Sequence, residues 1–411
     1  MRSNNGVSWN DSPRWPAGLR NRRGQLFAAL SLALAVILSA AGYLLASGGS
    51  PPKSASLPRS ATTLPPAPTA PAPRPAPPAR RGHRILQPKP LLHPHHAQGL
   101  ALLPASPGPG RDAAVAAMVA DLRLVNYYPA ADPWTLMWTN WQASVLNQGF
   151  AEIHALGGNA VRIVVFPYTL GWPVPSRVMA ARFEDTLTIA ANHGLGVQLT
   201  LFDQWHAFNE VRQSRTWLRT LLGPYSDDPE IRLAELKNEV DPADSAEVGW
   251  VRAMLPTLRS VLPRTPGTVS VSGSEGPAGF RQLMSELPGA PMDVADIHFY
   301  GPSAEAYGWM LAAKRAAGPL PLFIGEAGFP VDNATRGVTA ANDAQAHWFS
   351  VVFAAARRAD AGIPAPWTLN DFTRGTVPDA PDESAENHFG LYTLAGAPRP
   401  AALVVKQAFL G

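Results

Sequence analysis

The chain predicts an α/β fold, a closed (β/α)8 TIM barrel, on three observations. From about residue 112 onward, short apolar runs alternate with amphipathic stretches of helical period. Eight such pairs fit in roughly 290 residues, the size of one barrel of this kind. No Gly-rich phosphate loop follows the first run, as the doubly wound open sheet would usually show. The strand runs are 122–127, 160–166, 196–202, 232–238, 268–272, 293–299, 320–325 and 364–369. Helical patterns follow at 141–156, 177–193, 244–262, 304–317, 340–359 and 400–409, with shorter ones within 209–222 and 277–287.

The preceding residues have a different composition. Residues 26–46 form an unbroken apolar and small-residue run of about the 20 residues that cross a bilayer as a helix. Arg20, Arg22 and Arg23 precede it, and the next twenty residues hold only Lys53 and Arg59. The positive-inside rule then keeps residues 1–25 in the cytoplasm and sends the rest outside. A cleaved signal peptide is the alternative. Residues 47–111 are rich in Pro and Ala and cannot bury a core, so they read as a semi-rigid spacer to a catalytic domain at 112–411. Within the spacer, His93, His95 and His96 read as solvated linker rather than metal ligands.

Net charge is +3, but its distribution is uneven: residues 1–111 hold 13 Lys/Arg and one acid, leaving 21 basic and 30 acidic residues for the remainder. An acidic globular part argues against a nucleic-acid partner. With no cysteine, disulfides, thiolate metal sites and a cysteine nucleophile are excluded.

Two carboxylates stand out by position. Glu239 follows Asn238 at the end of the fourth strand run, and Glu326 ends the seventh. Barrel chemistry sits at the C-terminal ends of strands, and two acids opposed there suit cleavage of a glycosidic bond. Asp203, Trp205 and His206 end the third run and face the same mouth. His298 and Tyr300, two apart on the sixth, both point inward. Tyr127, Tyr128, Trp134, Trp138, Trp141, Tyr168, Trp172, Trp205 and Trp309 lie near loop ends, where aromatic faces can stack on pyranose rings, while Trp217, Trp250 and Trp348 fit the core. Asn333-Ala334-Thr335 matches a glycosylation acceptor.

Over residues 122–407 the chain resembles the retaining glycoside hydrolases built on (β/α)8 barrels, particularly the cellulase and mannanase-like family 5. The likeness rests on Asn238-Glu239, Glu326, Gly157-Gly158-Asn159-Ala160-Val161-Arg162, His298-Phe299-Tyr300, Trp367, and the closing Asn387-His388-Phe389-Gly390-Leu391-Tyr392 with Pro398-Arg399-Pro400. It implies that Glu239 is the acid/base and Glu326 the nucleophile. It further implies that Arg162 hydrogen-bonds the nucleophile, His298 and Tyr300 line the site, and Trp367 is a sugar platform. Asn238 would bind the hydroxyl beside the anomeric carbon. Three positions depart from the family pattern: Val240 replaces the usual Pro, Lys237 stands before Asn238, and the third strand ends Asp203-Gln204-Trp205-His206. The expected pKa pattern is a raised Glu239, through burial and the Glu326 anion, and an ionised Glu326.

The expected function is thus hydrolysis of β-glycosidic bonds in an extracellular poly- or oligosaccharide, by a monomeric, membrane-anchored catalytic domain without metal or organic cofactor. A tethered barrel that binds glycan without cutting it is the rival. Aldolase or metal-hydrolase chemistry would need an inward lysine or a His-rich strand end. Lys237 should point away from the mouth if Asn238 faces in.

Overall fold

The computed structural model describes residues 101–331 and 336–411. Strands β1 (Leu124–Asn126), β2 (Ala160–Val164), β3 (Gly196–Thr200), β4 (Ile231–Glu235) and β5 (Gly267–Thr268) pair in parallel in chain order. Strands β6 (Ser270–Val271), β7 (Ala295–Ile297) and β8 (Leu322–Phe323) continue the series in parallel. Only Val269 separates β5 from β6, so the two are halves of the fifth barrel strand, and β7 and β8 are the sixth and seventh. The last barrel position is taken by residues 364–369, which pair only through isolated bridges. On one side Ala365 N donates to Ile324 O (2.9 Å) and Trp367 N to Ala327 O (2.8 Å). On the other, Asn126 N donates to Pro366 O (3.1 Å) and Leu369 N to Asn126 O (3.0 Å). The eighth segment therefore sits between the seventh and first strands, and the sheet closes on itself.

Most strand residues are buried, as expected of a parallel sheet covered on both faces, and this is why their sequences read as continuous apolar runs. The covering helices are α2 (Ala143–Ala155), α3 (Arg177–Asn192), α4 (Val211–Leu222), α5 (Ser245–Val261), α6 (Gly276–Glu286), α7 (Ala306–Ala317), α8 (Val338–Arg358) and α9 (Pro400–Leu410). Local caps set two starts. Ser176 accepts from Met179 N ahead of α3, and Asp244 accepts from Ala246 N and Glu247 N ahead of α5.

A helix preceding the barrel, α1 (Pro109–Asp121), was absent from the expected layout. Its apolar face, with Val115, Met118 and Val119, packs with Leu124, Ala160, Leu233, Val294, Phe323 and Ala365 and so plugs the barrel floor. The expected boundary between residues 111 and 112 falls inside this helix, and Arg111 belongs to the fold rather than to the spacer. Arg111 is 2% exposed; its Nε donates to Asp293 Oδ1 (3.2 Å) and its Nη1 to Pro263 O (3.0 Å). Asp293 also accepts from Arg259 and from Gly267 N (2.8 Å).

Among the described residues no helix is long and apolar enough to cross a membrane. The 26–46 run, residues 47–100 of the spacer with its histidines, and the 333–335 acceptor lie outside the described residues.

Asp293 thus holds two guanidinium groups at the barrel floor, far along its strand from the mouth. Asp293→Ala leaves a buried cation unpaired and should destabilise the protein by about 3–5 kcal/mol in urea unfolding. Turnover by the folded fraction should stay near that of the unaltered chain.

Candidate active site

Arg162 ends the inward row of β2 and is 1% exposed. An isolated guanidinium could not remain charged there, so the fold surrounds it with acceptors. Its Nε donates to Thr200 Oγ1 (2.7 Å) and Glu235 Oε2 (2.9 Å), and its Nη2 to Glu235 Oε2 (2.7 Å) and Asn238 Oδ1 (2.7 Å). Its Nη1 donates to Asn126 Oδ1 (2.9 Å) and to Glu326 Oε1. Burial alone would lower its pKa, but Glu235, Glu326 and Asp296 outweigh burial and hold it well above the ordinary value.

Glu235 is the acid that reading the sequence missed. It is fully buried at the end of β4 and accepts from Arg162, from Thr200 Oγ1 (2.5 Å) and from Gln198 Nε2 (3.3 Å). Burial raises its pKa, yet Arg162, His298 and its hydroxyl donors lower it on balance. The signal was present: strand alternation turns Glu235 into the barrel, and an inward acid there calls for a buried cation.

Regular strand geometry stops at Glu235. Leu236 N still donates to Thr268 O (2.8 Å), after which the chain turns and Glu239 adopts φ 47°, a region that side chains with a Cβ seldom occupy. Glu239 N donates to Ser270 Oγ (2.8 Å) and Val240 N to Ser270 O (2.9 Å), which pins this turn. The turn brings Asn238 and Glu239 to the mouth together, which strict alternation would forbid. Lys237 turns away from it: Nζ donates to Asn238 O (2.8 Å) and lies 3.4 Å from Glu247 Oε1 on α5.

Glu239 and Glu326 meet around His298. The imidazole Nδ1 lies 2.9 Å from Glu239 Oε1 and 3.3 Å from Glu326 Oε2. One oxygen of each carboxylate and Nδ1 all lie within 4.8 Å of one another. Tyr300 Oη donates to Glu326 Oε2 (2.6 Å), so Glu326 is held by Arg162 on one oxygen and Tyr300 on the other. Glu235, Asp296 and His298 likewise bring donor atoms within 4.8 Å. In both triads a carboxylate already has the Arg162 cation beside it.

Burial disfavours the His298 imidazolium, but Glu326, the hydrogen bond with Glu239 and Asp296 overcome this and raise its pKa to about 9. Glu239 then departs from expectation. Burial raises its carboxyl, but the His298 hydrogen bond and the His298, Arg162 and Lys237 charges bring it below the ordinary value. The Glu326 anion is close, but this cationic partner outweighs it. Glu239 keeps a side-chain exposure of 35%, the most open of the group.

The remaining expected residues divide. Trp367 Nε1 donates to Glu386 Oε1 (2.6 Å) on the closing segment. Glu386, also unforeseen, is pushed up to about 7 by burial and by the Glu326 and Glu239 anions, despite that hydrogen bond. Asp203 is raised by burial, with Lys237 and Arg162 opposing it and Glu326 adding to it, which puts it in the same field. His206 is exposed at the rim, its pKa lowered by burial and by Lys237. Trp205 is 1% exposed beneath Trp172 (centroids 4.4 Å) and Tyr168 (5.1 Å), so it supports these rings and offers no face to a sugar. The same correction applies to Tyr127 and Trp138, which bury fully and bond Val145 O and Val164 O. Trp134 stacks on Tyr128 (5.1 Å) and is likewise buried, whereas Tyr168 is 62% exposed at the mouth. Trp217, Trp250 and Trp348 are core residues.

The cellulase (glycosyl hydrolase family 5) model matches residues 125–371, more than half of the chain. The chain belongs to glycosyl hydrolase family 5. It is an O-glycosyl hydrolase of the cellulase and mannanase-like kind, acting on β-glycosidic bonds. Solved structures share its fold at low identity. Exo-beta-1,4-mannosidase Op5Man5 from Opitutaceae bacterium strain TAV5 matches at 19% identity and TM-score 0.57, over 70% of this chain and 58% of that one. The family 5 chain therefore spans less than two thirds of that relative. GH5_18 from Streptomyces cattleya in complex with GlcNAc matches at 18% and 0.57, over 70% of this chain and 79% of that one. GH5_18 from Bifidobacterium longum subsp. longum matches at 21% and 0.55, over 70% and 78%. No curated protein sequence matches the chain.

The raised pKa of His298 means that the imidazolium persists up to about pH 9 and is lost above it. The His298–Glu239 pair therefore keeps its proton to that pH. The alkaline limb of kcat/KM should lie near pH 9, and in His298→Gln it should move at least about one pH unit lower. A pH–rate profile of both proteins on an aryl β-glycoside checks this.

Proposed function

We propose that this family 5 enzyme cleaves β-linked sugars with retention of configuration, Glu326 acting as nucleophile and Glu239 as acid/base. The observation that carries this reading is the approach of the two carboxylates around one imidazole nitrogen, with oxygens within 4.8 Å. Retaining pairs stand about 5–5.5 Å apart and inverting pairs about 6.5–9.5 Å, because the latter admit a water.

Glu326 attacks the anomeric carbon as the bond to the leaving oxygen breaks, and Glu239 delivers a proton to that oxygen. Water, deprotonated by Glu239, then cleaves the glycosyl ester and releases Glu326. Arg162 and Tyr300 fix the two oxygens of Glu326, so attack needs no side-chain search. Asn238 has its carbonyl oxygen committed to Arg162 and its amide hydrogen-bonded to Asp203, so the amide is oriented to donate its remaining N–H to the hydroxyl beside the anomeric carbon. In the free enzyme the catalytic proton resides on His298. A sugar that displaces water from the partly open Glu239 favours the neutral pair, and the proton passes along Nδ1···Oε1 to the carboxylate.

Trp367 is the platform for the reacting ring, with Glu386, Asp203 and His206 as polar contacts around it. The first substrates to test are β-mannosides. Op5Man5 is named an exo-β-1,4-mannosidase, and a GH5_18 structure holds Manβ1-4GlcNAc. We also place the barrel outside the cell, tethered by residues 26–46 through the proline-rich spacer.

Three outcomes test these readings. Glu326→Gln should lower kcat on aryl β-glycosides by roughly a thousandfold or more. Glu239→Ala should retain cleavage of activated aryl glycosides, and azide should restore turnover while yielding a β-glycosyl azide; an α-azide product would contradict retention. In intact cells, externally added protease should release the barrel from the membrane fraction. Its persistence in the cytosol would exclude the tether.

A further inference from the structure

Asp296 lies two residues before His298 on β7, in the same inward row, and is fully buried. It touches no position where substrate would lie. Its Oδ1 accepts from Gly325 N (2.9 Å), the residue immediately before Glu326. The fit is close: a Cβ at Gly325 would stand 2.5 Å from Asp296 Oδ1 and 2.7 Å from Oδ2. Asp296 Oδ2 is buried without a hydrogen-bond partner. Glu235 Oε1 and His298 Nε2 are also buried without a hydrogen-bond partner. These three residues bring donor atoms within 4.8 Å of one another. Among the described residues, the imidazole nitrogens come within 4.0 Å of carboxylate oxygens only at Glu239 and Glu326. Asp296 and Glu235 therefore act on the imidazole as charges between 4.0 and 4.8 Å away rather than through direct hydrogen bonds.

We propose that Asp296 is a positioning residue for both catalytic carboxylates: it fixes the backbone ahead of Glu326 through Gly325 and, together with Glu235, acts as a charge on His298 so that Nδ1 presents its proton to Glu239. The inference rests on the retaining hydrolase reading of this site. His298 is faced by Glu239 and Glu235 from the fourth strand, Glu326 from the seventh, Arg162 from the second, and Asp296 and Tyr300 from its own. Glu239 and Glu326 sit on Nδ1, and Asp296 and Glu235 are further anions with an oxygen within 4.8 Å of an imidazole nitrogen. Burial and the Glu235 anion push the Asp296 carboxyl up to about 7, against His298, Arg162 and the Gly325 amide. Its charge therefore changes within the working range of the site.

Asp296→Asn tests this, since an amide oxygen can still accept from Gly325 N while the charge is gone. The expected result is a folded protein with kcat lowered about 10- to 100-fold, KM altered less than about twofold, and the alkaline limb of kcat/KM moved about half a pH unit or more lower. Histidine NMR should show the His298 titration moving the same way. An unchanged alkaline limb with an unchanged His298 titration overturns the proposal, whatever the loss in kcat. If Asp296→Asn fails to fold, Gly325→Ala carries the test, because its methyl displaces the carboxylate without removing a charge. The same downward shift is then expected, and an unmoved limb overturns the idea. If the unaltered enzyme turns over no β-glycoside, the functional reading fails, and the His298 titration alone decides the role of Asp296.

Discussion

One buried cation organises the mouth of this barrel. The guanidinium of Arg162 starts on β2 and reaches side chains from β1, β3, β4, the turn after β4 and the seventh strand. A cation so deep is tolerable only if every donor is matched, and each acceptor that matches it becomes fixed in turn. Glu235 and Thr200 form its floor, while Asn238 and Glu326 form its upper side. Asn126, which also donates to Gly325 O (2.9 Å) and Pro366 O (3.2 Å), ties that cation to the seam where the barrel closes. Glu326, Asn238 and the closure of the sheet therefore share one electrostatic anchor.

Around this anchor the two carboxylates are made unequal by their other partners. Glu326 is held on both oxygens by donors and is nearly buried. Glu239 sits on a backbone turn of positive φ, one third open, with His298 as its only direct side-chain partner among the described residues. That difference supports the roles proposed for them: the rigid group as the one that attacks, and the accessible one as the group that exchanges a proton with bound sugar and water. The raised His298 and lowered Glu239 pKa values fit the proposed resting state, in which the imidazole carries the proton beside Asp203, Glu326 and Glu386.

The barrel was legible because parallel strands covered on both faces leave unbroken apolar runs: seven of the eight runs contain strands, with ends shifted by up to three residues, and the eighth, 364–369, pairs only through isolated bridges. Both acids were legible by position, and Arg162 by its place on the second strand. Four things were not. Helix α1 follows a proline-rich tract, and nothing in that composition announces that Arg111 will meet Asp293 on a strand far along the chain. Glu235 is one acid in an otherwise largely apolar strand, and only the buried Arg162 that it meets across the barrel distinguishes it from a solvated carboxylate. The aromatic residues near the loops were assigned to a sugar cleft, whereas Tyr127, Trp138 and Trp205 bury their rings. Loop-end aromatics and sugar platforms share a composition, and only packing separates them. The low pKa of Glu239 was also out of reach, because it depends on the charge of His298 rather than on burial.

The most direct test of the account is trapping with an activated 2-deoxy-2-fluoro-β-glycoside, followed by peptide mass analysis. The account predicts one fluoroglycosyl unit esterified to Glu326, with inactivation lost in Glu326→Gln. Stoichiometric labelling at Glu239, or turnover of the natural β-glycoside to a product of inverted configuration, would contradict it.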